Sequence, residues 1–167
     1  MNDPTEHPFR LLFVCTGNTC RSPMAEAIAR SRVEELGWAG FEVRSAGVDA
    51  FDGSAASDGA VRAARAHGLD LEGHSATLLT HEEAGLADLI LTMSPSHLIR
   101  VIELGAGDRA AMLTSYAAGA DGALDPTGVP DPIGGLDEDY METFRVLDDL
   151  VGRVLERLGP VSEGRRP

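Results

Sequence analysis

A cysteine and an arginine are separated by five residues in a short polar segment near the start of the chain. Residues 14–23 read VCTGNTCRSP, in which Cys15 precedes Arg21. The backbone N–H groups of a tight turn in front of a helix can surround an anion, and an arginine can hold two of its oxygens. The same positive field favours the thiolate form of a cysteine, which is the nucleophilic form. The pattern predicts that Cys15 attacks a phosphoryl group and forms a phosphocysteine, which water later hydrolyses.

The predicted phosphate-binding loop extends beyond these two residues. Gly17 allows the backbone to turn its N–H groups inward, and the Ser22 hydroxyl lies near enough in the sequence to donate to the Cys15 sulfur. The spacing alone is a weak signal, because all 14 basic residues are arginines, but its position between a strand and a helix strengthens it. The other interpretation is an ordinary strand–helix loop with two incidental thiols. The loop that we predict consists of Thr16, Gly17, Asn18, Thr19, Cys20, Arg21 and Ser22.

Phosphoryl transfer also needs a general acid, because a departing oxygen or nitrogen is too basic to leave unaided. A stretch rich in Gly, Asp and Pro contains two Asp-Pro pairs, which begin at Asp125 and Asp131. We favour Asp131, which lies beside Gly134, Gly135 and the start of the last predicted helix. Asp125 is the second candidate, and the alternative for Asp131 is a turn aspartate without a catalytic role.

Short apolar runs alternate with helical stretches along the chain, which is typical of a parallel sheet with helices on both faces. Four strands are predicted, at residues 10–15, 41–45, 88–93 and 110–113. Helices are predicted at residues 22–36 and 57–67, after the caps Thr80 and Ser94, and from residue 136 onward. Residues 114–135 are predicted to be a long loop. Ligands of such sheets bind beyond the carboxyl ends of the strands, which is where Cys15 is expected.

Length and composition indicate one domain over residues 10–158, with flexible tails at residues 1–9 and 159–167. The net charge of −13 argues against bulk binding to nucleic acid or to an anionic membrane. The absence of lysine excludes a lysine Schiff base, a pyridoxal phosphate anchor and a Walker A lysine. With two cysteines, no signal peptide and no membrane-spanning segment, we expect a cytoplasmic protein with reactive thiols.

The chain resembles the low-molecular-weight protein tyrosine phosphatase family in four separate motifs. They are VCTGNTCRSPMAEA at residues 14–27, SAG at 45–47, HGLDLEGHSATLLT at 67–80 and DPIGG at 131–135. The resemblance implies a single three-layer α/β/α domain with a four-stranded parallel sheet, of flavodoxin-like architecture. It also implies a two-step phosphocysteine mechanism without metal or cofactor. In that mechanism Cys15 is the nucleophile, Arg21 is the phosphate clamp, and Asp131 acts first as the acid and then as the base.

The resemblance assigns supporting roles to further residues. Asn18 matches the family's loop asparagine, which is held by a serine and a histidine that correspond here to Ser45 and His74. Ser22 matches the serine that stabilises the thiolate. Without the resemblance, His74 would be interpreted as a surface turn histidine. Cys20 can form a disulfide with the nucleophile under oxidation; the alternative is a small buried loop residue.

Three positions bear on the choice of substrate. Typical tyrosine phosphatases of the family carry isoleucine where this chain has Thr19 and an aromatic residue where it has Ile133, and Phe51 is the aromatic candidate near the site. The version CTGNTCRSPMAE resembles the bacterial protein arginine phosphatase branch, in which the threonine is implied to favour phosphoarginine. That branch usually has an aromatic residue at the Ile133 position as well, so Ile133 does not discriminate. We expect phosphorylated proteins or peptides as substrates, phosphoarginine before phosphotyrosine, and inorganic phosphate as product.

Two other functions would use the same loop. Arsenate reduction linked to thioredoxin needs further cysteines to relay a disulfide, and this chain has none beyond Cys20. Arsenate reduction coupled to glutaredoxin needs only one thiol from another molecule, so the sequence does not exclude it. A non-catalytic module would bind phosphate or phosphopeptide through the same N–H groups without turnover. The presence of a nucleophile, an arginine and an acid favours an enzyme, and specifically a hydrolase.

Overall fold

The structure, a computed structural model, describes residues 7–162 and the side chains of residues 7–159. Its centre is a four-stranded parallel sheet in the order β2-β1-β3-β4. The strands are β1 (Phe9–Cys15), β2 (Phe41–Gly47), β3 (Leu89–Thr92) and β4 (Ala110–Met112). The predicted parallel sheet is confirmed. Strand β2 is longer than the sequence pattern indicated, and β3 and β4 are shorter.

Helices cover both faces of this sheet and complete the three-layer α/β/α domain. They are α1 (Arg21–Glu35), α2 (Asp58–Ala66), α3 (His81–Leu86), α4 (Pro95–Glu103), α5 (Leu113–Ala117) and α6 (Asp137–Ser162). Helices α1, α2, α5 and α6 pack together on one face, while α3 and α4 contribute to a second core on the other. Within residues 7–162, no helix combines the length and the apolar character needed to cross a membrane.

Strand β1 contributes alternate side chains to the two cores. Leu11 and Phe13 belong to the larger core, and Leu12 and Val14 belong to the smaller one. All four are at most 3 % exposed, because successive side chains of a strand point to opposite faces. Since β1 also pairs with β2 and β3 along its two edges, its last residue, Cys15, is held in a fixed position.

Two helix starts agree with the predicted caps. The Thr80 side chain accepts a hydrogen bond from the Glu83 N–H at the start of α3. The Ser94 side chain accepts one from the His97 N–H at the start of α4, with proline in the first turn. Both serve the same purpose, because each satisfies one of the backbone N–H groups that the first helical turn leaves without a partner.

Helix α1 differs from its prediction. It begins at Arg21, and the residue before it, Cys20, makes no side-chain cap. Ser22 does not cap the helix, because its hydroxyl contacts the Cys15 sulfur within the loop. The first-turn N–H groups of α1 are therefore not occupied by a side-chain cap.

The prediction of one continuous loop over residues 114–135 is wrong at its start, where the structure has helix α5. This helix has five residues, which is too short for a period of 3.6 to be recognised in the sequence. Leu113 and Ser115 are buried where α5 packs against α6, so tertiary contacts stabilise this turn.

The ends of the folded part also differ from the sequence pattern. Strand β1 already includes Phe9, and α6 continues to Ser162, whereas the apolar stripe of the last helix ended at Leu158. Residues 1–6 and 163–167 lie outside the described residues. The tails predicted for the two ends of the chain therefore stay predictions there.

Gly47, the last residue of β2, lies directly against the loop that follows β1. A Cβ atom at this position would be 2.5 Å from the Thr16 carbonyl oxygen and 2.7 Å from the Asn18 backbone nitrogen. Both atoms are backbone, so neither can move aside without displacing the loop. A glycine is therefore required where β2 supports the loop.

We expect Gly47→Ala to lower the free energy of unfolding by about 1–3 kcal/mol, because the added methyl group overpacks the loop backbone. Gly85→Ala, within α3, is the control, since a Cβ there meets nothing within 4 Å. The control should leave the protein unchanged or raise its stability by about 0.5–1 kcal/mol. Urea unfolding measures both values. Equal effects of the two substitutions would contradict the proposed close contact.

Candidate active site

The segment between β1 and α1 curls around the carboxyl end of the strand. Cys15 is 3 % exposed, and its Sγ lies 2.8 Å from the Ser22 Oγ. Within the described part of the chain, the backbone N–H groups of residues 16–20 donate to no other protein group. These N–H groups, together with the N-terminus of α1, can bind an anion next to the sulfur.

Asn18 organises the loop from within. Its φ of 56° lies in the left-handed region, which asparagine tolerates better than most residues. Its Nδ2 donates to the Ser22 Oγ at 2.8 Å and to the Ser45 Oγ at 2.9 Å. Its Oδ1 accepts from the Thr77 N–H at 2.9 Å, and its carbonyl accepts from the His74 Nε2 at 2.7 Å. The structure thus brings Ser45 and His74 to Asn18, one at the side chain and the other at the backbone.

The Ser22 hydroxyl is oriented by this network. Because the Asn18 Nδ2 donates to its oxygen, the hydroxyl hydrogen is left to donate elsewhere. The Cys15 sulfur at 2.8 Å is a closer acceptor than the Ala46 carbonyl at 3.4 Å. A hydroxyl that donates to sulfur stabilises the thiolate form of the cysteine.

Arg21, the first residue of α1, is held by contacts with a distant part of the chain. It is 6 % exposed, and its Nη1 donates to the Val129 carbonyl at 3.0 Å. Its Nη2 lies 3.4 Å from the Asp131 Oδ2. These two contacts use part of the planar guanidinium and leave further N–H groups for an oxyanion. The predicted clamp and the predicted acid are therefore neighbours, although they are far apart in the sequence.

Of the two candidate aspartates, the structure places Asp131 beside the loop. Its Oδ1 accepts from the Ile133 N–H at 3.1 Å, which turns Oδ2 towards Arg21. The Asp125 Oδ1 instead accepts from the Thr127 N–H at 3.0 Å within its own turn. That hydrogen bond lowers the pKa of Asp125, which makes its carboxyl a poorer proton donor near neutral pH.

His97 lies against the loop, and no pattern in the sequence indicated it. It is 2 % exposed, and its Nε2 lies 2.8 Å from the Thr16 Oγ1. Burial first, and the positive charge of Arg21 second, lowers its pKa from 6.5 to about 4. The imidazole is therefore neutral near pH 7. The available signal was its position at the start of α4, directly after β3, at the edge of the sheet where ligands bind.

Ser57 and Tyr140 are two further residues that contact the loop, and the sequence did not indicate them. The N–H and hydroxyl of Ser57 donate to the Thr19 carbonyl at 2.9 Å and 3.3 Å. The Cys20 Sγ lies 3.1 Å from the Ser57 Oγ and 3.9 Å from the Tyr140 hydroxyl, and both cysteines of the chain are free thiols. Ser57 precedes α2, and its side chain does not cap that helix. The Ser57 side chain therefore contacts the loop and does not cap α2.

The three predicted specificity residues lie around the loop. Thr19 is half-buried within it, with its Oγ1 3.8 Å from the Cys20 Sγ. Phe51 is 84 % exposed and lies two residues after Asp49, whose N–H donates to the Thr16 carbonyl. Ile133 is 65 % exposed. The two apolar side chains are thus exposed on segments that contact the loop or Arg21.

Together these residues supply a nucleophile, an anion-binding loop, a fixed arginine and a carboxylate in one place. That set is sufficient for nucleophilic attack on a phosphoryl group with charge stabilisation and proton transfer. In the described part of the chain, no three His, Cys, Asp or Glu side chains are grouped so as to hold a metal ion.

Known proteins with similar sequences define the class. Residues 10–162 match the family described as low molecular weight phosphotyrosine protein phosphatase. A protein-arginine-phosphatase of Geobacillus stearothermophilus is 37 % identical over 153 residues, which cover 90 % of this chain and 97 % of that protein. A low molecular weight protein-tyrosine-phosphatase of Streptomyces coelicolor is 35 % identical over 164 residues, which cover 94 % and 98 %.

A solved structure gives the same result. It is that of a YwlE arginine phosphatase variant with a phosphorylated active-site serine, and it superposes with a TM-score of 0.83 at 35 % identity. The match covers 90 % of this chain and 96 % of that chain. The chain therefore belongs to the low molecular weight phosphotyrosine protein phosphatase family, as its motifs predicted. Within that family it is a cysteine-dependent phosphatase, and hence a hydrolase.

The lowered pKa of His97 predicts a dependence of stability on pH. The unfolded chain binds a proton at this residue near pH 6.5 and the folded protein only near pH 4, so stability falls as the pH drops through this window. We expect His97→Gln to remove about 3 kcal/mol of that loss by pH 4. Urea unfolding from pH 7 to pH 4 measures it, with His81→Gln, an exposed histidine, as control. Parallel profiles of wild type and His97→Gln would contradict the expectation.

Proposed function

We propose that this chain removes phosphoryl groups from phosphoarginine side chains of proteins, through a phosphocysteine on Cys15. The observation that carries the proposal is the buried Cys15 sulfur, 2.8 Å from the Ser22 hydroxyl, at the base of a loop in which the N–H groups of residues 16–20 have no protein acceptor among the described residues. Arg21 and Asp131 lie together beside that loop. Phosphorylated proteins are the substrate class that the names of the relatives support.

In the first step, the Cys15 thiolate attacks phosphorus and the P–N bond to the guanidinium group breaks. The loop N–H groups and the Arg21 fork bind the phosphoryl oxygens, where negative charge is concentrated in the transition state. Protonated Asp131 gives its proton to the departing nitrogen, which receives the electron pair of the broken bond. The products are an arginine side chain and a phosphocysteine.

In the second step, Asp131 is a carboxylate and takes a proton from a water molecule. The oxygen of that water attacks phosphorus, the P–S bond breaks and its electron pair returns to sulfur. Inorganic phosphate leaves, and Asp131 is again protonated for the next cycle. The similar structure with a phosphorylated active-site serine supports a phosphorylated enzyme as the intermediate.

Ser22 and Asn18 support both steps. In the first, the Ser22 hydroxyl stabilises the attacking thiolate, and in the second it stabilises the same thiolate as the leaving group. Asn18 keeps that hydroxyl oriented, since it donates to the oxygen and leaves the hydrogen for the sulfur. We assign Ser45 and His74 to holding Asn18 in its left-handed conformation.

Thr19 supports phosphoarginine as the substrate. A hydroxyl in the loop can accept a hydrogen bond from a guanidinium N–H, whereas the leaving oxygen of phosphotyrosine carries no hydrogen that it could donate. The relative in Geobacillus stearothermophilus carries the name of an arginine phosphatase. Phosphotyrosine is the second candidate, because the relative in Streptomyces coelicolor is named a tyrosine phosphatase at similar identity. Phe51, exposed near the loop, is the aromatic side chain that would contact such a ring.

We place this activity in the cytoplasm. Reduced thiols persist there, and the mechanism requires Cys15 as a free thiolate while Cys20 is close to it in the loop. Both cysteines are free in the structure.

Substrate class is tested by kcat/KM on a phosphoarginine peptide and on its phosphotyrosine counterpart. We expect the wild type to prefer phosphoarginine by about tenfold or more, as a polar contact of the leaving group would give. Thr19→Ile should reverse the preference, because it removes the hydroxyl and adds apolar surface. Thr19→Ser, which retains the hydroxyl, is the matched control. A phosphotyrosine preference that Thr19→Ile leaves unchanged would contradict phosphoarginine as the substrate.

The assignment of the acid is tested by Asp131→Asn and Asp125→Asn. With a phosphoarginine peptide we expect Asp131→Asn to lower kcat by about 10²–10³, because the basic nitrogen then departs without a proton. Asp125→Asn should stay within about twofold, since its carboxyl is engaged in its own turn. Single-turnover kinetics separate this step from phosphocysteine hydrolysis. A larger loss in Asp125→Asn than in Asp131→Asn would assign the acid to Asp125 instead.

A further inference from the structure

We propose that His97 is a positioning residue of the phosphate-binding loop, which donates a hydrogen bond from its Nε2 to the Thr16 hydroxyl and thereby orients that hydroxyl for the bound phosphoryl group. This inference rests on the proposed phosphatase reaction, since it concerns the loop that binds the phosphoryl group.

The contact joins two parts of the chain that are 81 residues apart. His97 lies in the first turn of α4 and is 2 % exposed, whereas Thr16 is exposed at the mouth of the loop, next to the nucleophile. The Nε2–Oγ1 distance is 2.8 Å, which is that of a full hydrogen bond. A buried ring thus has its single polar contact, within the described residues, with an exposed hydroxyl of the site.

The surroundings of the ring determine its protonation. Arg21 and Asp131 are the charged groups that act on it, and burial together with Arg21 keeps the imidazole neutral. A neutral imidazole has one N–H, on either Nδ1 or Nε2. Nδ1 is buried and has no partner among the described residues. A buried N–H without an acceptor costs more than a lone pair without a donor, so the hydrogen belongs on Nε2.

The direction of the hydrogen bond follows from this tautomer. The Nε2–H donates to the Thr16 Oγ1, so the threonine hydroxyl hydrogen is not used by His97. No second protein partner of that hydroxyl occurs in the described chain. The hydrogen is then available to an oxygen of the ligand, as the loop N–H groups are.

The backbone of Thr16 is held as well. Its carbonyl accepts from the Asp49 N–H at 2.9 Å, after the end of β2. Thr16 is therefore fixed from β2 through its backbone and from α4 through its side chain. A neutral ring achieves this without a second positive charge beside Arg21, which already supplies the charge for the oxyanion.

The test is a double-mutant cycle on two residues. Thr16→Val removes the hydroxyl at constant volume, and His97→Leu removes the donor. The measured quantities are the competitive inhibition constant of inorganic phosphate and kcat/KM on p-nitrophenyl phosphate. We expect each substitution to weaken phosphate inhibition by about fivefold to tenfold, as the loss of one hydrogen bond gives. Phosphate should inhibit the double variant as strongly as it inhibits either single variant, because the two substitutions remove the same contact.

A conservative variant separates positioning from simple packing. His97→Gln keeps a side-chain N–H near the position of Nε2, so we expect it to recover most of the loss. His81→Gln, on the exposed surface of α3, is the control and should match the wild type. Thermal unfolding of each variant accompanies the kinetics. If His97→Leu does not fold, the comparison of Thr16→Val with His97→Gln still tests the contact.

The outcomes distinguish the inference from the function on which it rests. A wild type that neither binds phosphate nor turns over p-nitrophenyl phosphate would overturn the proposed function and this inference together. Two results with an active wild type would overturn the inference alone. One is that the losses of phosphate inhibition multiply in the double variant, and the other is that phosphate inhibits His97→Gln as weakly as it inhibits His97→Leu. Unchanged phosphate inhibition in Thr16→Val would do the same.

Discussion

The hydrogen bond between the Ser22 hydroxyl and the Cys15 sulfur is the contact on which the rest of the site depends. It exists because Asn18 donates to the same hydroxyl and so leaves its hydrogen for sulfur. Asn18 does so in a left-handed conformation, in which Ser45 contacts its side chain and His74 contacts its carbonyl. One strained residue thus orients the group that stabilises the thiolate, and its surroundings compensate for the strain.

The sheet determines where this network can form. Strand β1 is buried on both faces and ends at Cys15, so the proposed nucleophile is part of a segment that packs into both cores. Strand β2 ends beside it at Gly47, where the absence of a side chain admits the loop backbone. Helix α1 then begins without a side-chain cap. A parallel sheet brings these ends to one edge, and backbone and side-chain hydrogen bonds from neighbouring elements hold the loop there.

Charge is distributed unevenly around the loop. The chain carries a net charge of −13, yet Arg21 is nearly buried beside the anion-binding N–H groups. Asp131 lies 3.4 Å from it and is close to half exposed, which suits a group that exchanges protons with water. His97 is neutral, because burial and Arg21 lower its pKa. One fixed positive charge, one accessible carboxylate and a neutral imidazole therefore share the site, so the field is concentrated where an oxyanion binds.

The sequence by itself determined the sheet and most helices, and it predicted Cys15 as the nucleophile and Arg21 as the phosphate clamp, because each of these depends on residues that are close together in the chain. It also determined that Asn18 and Ser22 belong to the loop. It left two aspartates open and did not indicate α5, Ser57 or His97. Only the tertiary structure shows that Asp131 contacts Arg21 and that His97 contacts Thr16, since both contacts join residues that are far apart in the chain. Contacts of that kind have no local periodicity or spacing, because they arise from the order of the strands and from which helix begins at which edge of the sheet.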